Sequence, residues 1–241
     1  MIEWGWTGIL VLTVGMLGGC ATSPATIPLD RAETVTTPVD DTRNWWYVRF
    51  RLAWPEDEEL PWWPDLLLAD RVVGPVLDAE RAAISLWRFH RRAARDEAGR
   101  QVSFIFRASS ATAARVNARI ASDPLLVWLQ RVGTVQSVSY DDPDHPQRPG
   151  IGDTSDKNWS PEMRDAWPWF IMGVSQLWLE LIREIGKREE LPEDLKARYA
   201  VIESALNELW REEGRHALLH HLSAVFGYRE VAVVRRELMR F

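Results

Sequence analysis

The chain of 241 residues contains one cysteine, Cys20. A single thiol excludes an intrachain disulfide framework, a zinc centre of several thiolates and an iron–sulfur cluster. Lysine is scarce as well: it occurs only at 157, 187 and 196, and positions 45–140 hold thirteen arginines and no lysine. Positive charge is not in excess. The formal net charge of −6 excludes a free-standing nucleic-acid binder with a globally basic surface. No Gly-x-Ser-x-Gly elbow, P-loop, Gly-x-Gly-x-x-Gly turn or His-Glu-x-x-His pair occurs, so the usual signatures of serine hydrolases, nucleotide enzymes and zinc peptidases are missing. No internal repeat is present either. Against these absences stand a hydrophobic fraction of 46% and 14 tryptophans, enough for a core in one large domain or two small ones.

Trp6 to Gly19 is an uncharged apolar run that ends in Leu17-Gly18-Gly19-Cys20. It is short and glycine-rich for a membrane span of about 20 residues, and fits the apolar core and small-residue cleavage point of a secretory signal. Leu17 to Cys20 resembles the lipobox of bacterial lipoproteins. The resemblance covers these first twenty residues alone. It implies that the Cys20 thiol is diacylglycerated, that the peptide is cut before it, and that the new amino terminus is acylated with a palmitate-type chain. It further implies a cell-envelope protein held on a membrane by lipid, and Ala21 after the cysteine favours the outer membrane, facing the periplasm. The alternative is an uncleaved N-terminal anchor with an incidental cysteine. On the first reading, residues 1–19 are signal peptide and 20–44 a flexible tether rich in Thr, Pro, Ala, Ser and Asp.

Residues 45–142 read as mixed strand and helix. Trp46, Val48, Phe50, Leu52 and Trp54 alternate with Trp45, Tyr47, Arg49, Arg51 and Ala53, the period-two pattern of a half-buried strand. A helix is predicted over 64–77, a strand over 84–92, a strand over 101–107, helices over 110–121 and 124–132, and a strand over 134–140. The second strand is ambiguous, because Ala82 to Ala94 fits a helix equally well. The order βαββαβ is the ferredoxin-like arrangement. Residues 143–160 form a Pro- and Gly-rich linker, and 161–241 are helical, with stripes at Phe170, Val174, Leu177, Leu181 and Ile185 and at Leu195, Tyr199, Ile202, Leu206 and Leu209. The predicted class is thus α+β: a ferredoxin-like domain followed by a helical C-terminal half packing on it. Charge divides between the halves, +2 over 45–140 and −5 over 141–241, which favours docking of one on the other.

Four residues are candidates for binding anions. Arg49 and Arg51 share one face of the first strand, and Arg88 and His90 on the second strand can share it too; guanidinium forks suit carboxylates and phosphates of envelope polymers or lipid head groups. The competing reading is that the helical half covers this face and its glutamates pair with the arginines. Gly99 to Phe106 loosely resembles the RNP1 segment of RNA-recognition domains, but Ser103 stands where Gly or Ala is wanted, and no nucleic-acid partner is expected. Glu213, His216 and His220 have the spacing of metal ligands on one helical face. No second Glu-x-x-His accompanies them, so polar-face residues are the expected reading, with no metal or other cofactor. Asp153, Asp156 and Asp165 are acids that a fold can bring together as an acid/base couple. Paired tryptophans at 45/46, 62/63 and 167/169 serve either as packing or as exposed platforms. The function expected is a lipid-anchored binding or assembly factor that contacts envelope protein, glycan or lipid. The alternative is a hydrolase or other enzyme using Asp, Glu or His of the C-terminal half.

Overall fold

The computed structural model of the chain describes residues 43–145 and 155–227. The lipobox-like segment, the predicted tether as far as 42, linker residues 146–154 and the tail from 228 onward lie outside the described residues; Arg43 and Asn44, read as the end of the tether, instead open the first strand. The elements run β1 (Arg43–Leu52), α1 (Trp63–Leu67), a π-helical turn (Leu68–Val73), α2 (Gly74–Glu80), β2 (Leu86–Arg92), β3 (Gln101–Ser109), α3 (Ser110–Ala121), α4 (Pro124–Arg131), β4 (Val135–Tyr140), α5 (Pro161–Gly186), α6 (Leu195–Glu212), a second π-helical turn (Arg215–His220) and α7 (His221–Val225). The class is α+β, and the four strands form one antiparallel sheet in the order β2-β3-β1-β4.

Alternation decides which face of this sheet is closed. On β1, Trp46, Val48, Phe50 and Leu52 are buried; their cross-strand partners on β3 are Phe106, Phe104 and Val102, and Trp87 and Phe89 extend the layer on β2. Phe104 and Phe106 stack at 5.0 Å within it, and Leu67, Leu77, Val116, Ile120, Leu126 and Leu129 of the helices belong to the same core. The residues in the alternate positions of each strand point the other way.

Helix starts follow the expected capping chemistry. Ser109, Asp123, Ser160 and Asp194 each accept a backbone N–H of the first turn of α3, α4, α5 and α6, and proline follows the cap directly in α4 and α5. Two elements differ from expectation. The helix predicted over 64–77 is divided by the π-helical turn, whose wider turn accompanies burial of Leu66, Leu67, Leu68 and Ala69 in succession. The ambiguous segment 82–94 is a strand, and it begins at Leu86. A contact far along the chain holds it there: Ser175 of α5 accepts the Phe89 N–H at 3.1 Å, so α5 covers the free edge of β2.

Pro168, inside α5, has no N–H to offer the Arg164 carbonyl one turn earlier. Ser155 supplies the donor instead, its hydroxyl lying 2.8 Å from that oxygen. This bond ties the end of the linker to the helix. Leu179, Ile182 and Ile185 of α5 and Tyr199, Ile202 and Leu206 of α6 join the core of the sheet and α1–α2, so the two helices complete one hydrophobic interior with it. Charge pairing between the halves runs opposite to the composition: Arg183 of α5 meets Asp78 at 2.7 Å and Asp70 at 3.6 Å, and the Tyr199 hydroxyl of α6 donates to Asp70.

Candidate functional site

The sheet face turned away from the core carries the candidate anion-binding residues in adjacent rows. Register aligns Arg49 on β1 with Ser103 on β3, His90 on β2 and Ser139 on β4. The next row holds Arg51, Gln101, Arg92 and Ser137; in the opposite direction come Tyr47, Ile105 and Arg88, then Trp45, Arg107 and Leu86. Arg49, Arg51, Arg88 and His90 therefore share one face, as the alternation predicts. The Arg49 guanidinium lies over the Tyr47 ring at 4.3 Å.

Among the described residues the glutamates of the helical half do not pair with these arginines; Glu230 and Glu237 of that half lie outside the described residues. Among the described residues Arg49, Arg51, Arg88 and Arg107 have no carboxylate partner. The reason is placement, because α5 lies along the β2 edge and α6 packs against α1. The Nε groups of Arg88 and Arg107 and the indole N–H of Trp45 are buried without an acceptor. Desolvation lowers the pKa of Arg88. His90 is likewise held below its ordinary value of 6.5 by partial desolvation and by the guanidiniums of Arg88, Arg49 and Arg92. A face of this kind favours an oxyanion, which relieves the mutual repulsion and fills the vacant donor capacity.

Two further arginines belong to this face although the sequence reading did not single them out. Arg107 follows Phe104 and Phe106 in the alternation, and that signal was available. Arg92 is partly engaged, since its guanidinium pairs with Asp96 and donates to the Gly99 carbonyl at 2.7 Å. At the Arg51 end of the face a cavity of about 340 Å³ opens, lined by Arg51, Trp54, Arg95, Asp96, Arg100 and Gln136. Arg95 lies over Trp54 at 3.8 Å and donates to the carbonyls of Pro55 and Glu56 at 3.0 and 3.1 Å, so it serves the wall of the cavity.

The helix side of the sheet treats charge differently. Asp65, fully buried at the start of α1, pairs with buried Arg100 and with Arg91 at 3.3 Å. Burial raises the Asp65 pKa against the pull of the two guanidiniums. Glu80 at the end of α2 accepts from Arg115 at 2.8 Å and lies 3.3 Å from Arg119, and the Arg115 bonds lower its pKa. Glu203 of α6 faces Arg91 and Asp65 and is raised by burial.

The other candidates are dispersed. Glu213, His216 and His220 are exposed, and the rings of His216 and His220 lie nearly parallel at 5.0 Å, with His221 edge-on to both. Among the described residues no three His, Cys, Asp or Glu groups converge as ligands. Asp156 accepts the Asn158 N–H at 2.8 Å as a turn residue, Asp165 is an exposed residue of α5, and Asp153 and Cys20 lie outside the described residues. The RNP1-like segment buries Phe104 and Phe106 in the core and carries buried Ser103 and half-buried Ile105 on its other side, so it offers no aromatic stacking platform. The tryptophans divide: Trp45, Trp46 and Trp87 are buried, while Trp128, Trp169 and Trp210 are exposed.

No protein-family model matches the chain, and no curated protein matches it. Among solved structures, the crystal structure of TsrL is similar at 15% identity over 78% of this chain and 53% of that one, with a TM-score of 0.37. The chain spans about half the length of that structure, and a likeness at this level carries no argument about function.

Proposed function

We propose that the protein is a lipid-anchored factor of the bacterial cell envelope, acylated at Cys20, that binds an anionic partner on the sheet face turned away from the core, at the exposed or half-exposed Arg49, Arg51 and His90, without transforming it. On this reading the sheet and its crossover helices form a ferredoxin-like domain, consistent with the strand order and with helices following β1 and β3. The outer membrane, facing the periplasm, is the location that Ala21 favours. The observation that carries the binding role is the set Arg49, Arg51, Arg88 and Arg107, four guanidiniums on one face with no carboxylate paired to them among the described residues. Paired arginines elsewhere in the same domain make this a local property and not a shortage of acids. The geometry supports carboxylate or phosphate as the group recognised, through forked, charge-assisted hydrogen bonds.

The anchor is tested by metabolic labelling with an alkyne fatty acid. The expected outcome is label on the wild-type chain and none on Cys20→Ser; equal labelling of both contradicts lipidation at this thiol. The binding role is tested by titrating the full chain with pyrophosphate and, separately, with a uronate oligomer. Binding that weakens as salt is added is expected with at least one of them, and the better ligand identifies phosphate or carboxylate as the group preferred.

A further inference from the structure

The cavity of about 340 Å³ at the end of β1 falls within the size range of small-molecule sites. Three features set its walls. The register between β1 and β4 slips between Arg51 and Leu52, so Gln136 is the extra residue of a bulge and stands exposed at the cavity. Gly99, in the turn before β3, has a φ of +66°, and a side chain there would meet the Arg51 guanidinium at 3.4 Å. Glycine therefore lets that guanidinium lie against the turn. Arg95 lies over Trp54 and donates to the carbonyls of Pro55 and Glu56, which ties the segment after β1 to a residue 40 positions further on.

Charges of both signs line this cavity, and they differ in how far the fold satisfies them. Among the described residues Arg51 and Arg95 have no carboxylate partner. Arg100 also lines the cavity but is committed to Asp65 and to the Ala53 carbonyl. Asp96 accepts from Arg92 and from the Gly99 N–H, which pull its pKa down to about 2, so it is an anion at any physiological pH. A carboxylate has about four acceptor sites, and Arg92 and Gly99 together take three of them. Glu56 adds a second, exposed carboxylate. A compact polyanion is repelled by Asp96 and Glu56. A ligand with one oxyanion group and several hydroxyls satisfies both signs at once, since guanidiniums donate to the anion and carboxylates accept from the hydroxyls. Trp54 supplies aromatic area for the apolar side of a ring.

We infer that the cavity binds a single sugar unit carrying one oxyanion group, a carboxylate or a phosphate, with Arg51 and Arg95 on the anion, Asp96 and Gln136 on ring hydroxyls and Trp54 along the C–H face of the ring. The inference deepens the proposed binding role and rests on it in one respect, the shared residue Arg51. The cavity takes the terminal unit of an anionic partner, and the face that continues from Arg51 to Arg49 takes the anionic groups that follow. Trp54, Arg95, Asp96 and Gln136 belong to the cavity alone.

The test follows the indole N–H resonance of Trp54 in the full chain, identified by its absence from Trp54→Phe, as D-galacturonate, D-glucose 6-phosphate or neutral D-galactose is added. At least one of the two anionic sugars is expected to shift it saturably and to bind at least about tenfold more tightly than galactose; the tighter one names carboxylate or phosphate as the group held. Gln136→Trp fills the cavity and keeps every cation, and Arg95→Met removes one cation and keeps its stem over Trp54. Each is expected to weaken the binding at least about tenfold while the other indole resonances stay in place. Unchanged binding in both variants, or galactose bound as tightly as the anionic sugars, overturns the proposal. A wild-type chain that binds the uronate oligomer but shows no Trp54 shift with any of the three sugars also overturns it, and leaves the wider face reading standing. A saturable Trp54 shift without oligomer binding upholds the cavity and removes the face.

Discussion

Arg100, just before β3, and Arg88, on the neighbouring β2, are both withdrawn from water, and the fold treats them in opposite ways. Arg100, on the helix side, is buried against Asp65, which also meets Arg91. Arg88, on the open side, has a buried Nε without an acceptor and no carboxylate partner among the described residues. A desolvated cation with a partner holds a fold together, and breaking such a pair leaves an uncompensated buried charge. A desolvated cation without one weakens the fold, and on the proposed binding role a ligand completes it. The difference separates arginines paired within the fold from arginines without a carboxylate partner among the described residues, within one small sheet.

The largest effect expected on either side is at Asp65. Asp65→Asn leaves Arg100 buried without its counter-charge and is expected to lower stability by about 3–5 kcal/mol in urea unfolding. A loss below about 1 kcal/mol would place that pair outside the structural group. Arg88→Met is expected to change stability in the opposite direction, raising it by about 1 kcal/mol, because it removes a desolvated charge and keeps the apolar stem. Destabilisation by Arg88→Met would erase the contrast.

His90 sharpens the comparison through pH. Its pKa is depressed by desolvation and by Arg88, Arg49 and Arg92, so below about 6.5 the unfolded chain binds more protons than the folded one. Stability therefore falls as pH drops through the window below 6.5, and His90→Gln flattens that slope. An anion on the face raises the His90 pKa, so anion affinity rises on acidification and binding takes up protons. Calorimetry in buffers of different ionisation enthalpy reads the uptake directly. A further effect of about the same size as that of Arg88→Met concerns α5. Ser155→Ala orphans the Arg164 carbonyl below Pro168 and is expected to cost about 1 kcal/mol, with amide exchange rising in the first turns of α5.

The open face was legible because strand alternation is a local property. Trp46, Val48, Phe50 and Leu52 point inward, which sends Arg49 and Arg51 outward whatever else the chain does. The same logic applied to Phe104 and Phe106 would have added Arg107. The Asp65–Arg100 pair was not legible, because its partners are 35 positions apart and no spacing rule connects them. The second strand was ambiguous for a related reason: one of its edge donors is met by Ser175, 86 positions away from Phe89. The stripe Phe170, Val174, Leu177, Leu181 and Ile185 was read as one apolar face. It joins two: Ile185 is buried with Pro168, Ser175, Leu179 and Ile182, while Phe170 and Leu177 are exposed, and Ser175 and Pro168 do not register as apolar core.

One measurement bears on the central claim most directly. Titration of pyrophosphate and of a uronate oligomer into the full chain compares Arg49→Gln/Arg88→Gln on the open face with Arg115→Gln/Arg119→Gln, whose guanidiniums lie against Glu80. Each charge-assisted bond to an anion is worth about 1.5–3 kcal/mol. The open-face variant is therefore predicted to lose at least about tenfold in affinity for the ligand that binds, with its unfolding midpoint unchanged or raised, while the helix-side variant binds as the wild type does. Equal losses in both variants, or binding of neither anion by the wild-type chain, would contradict the account.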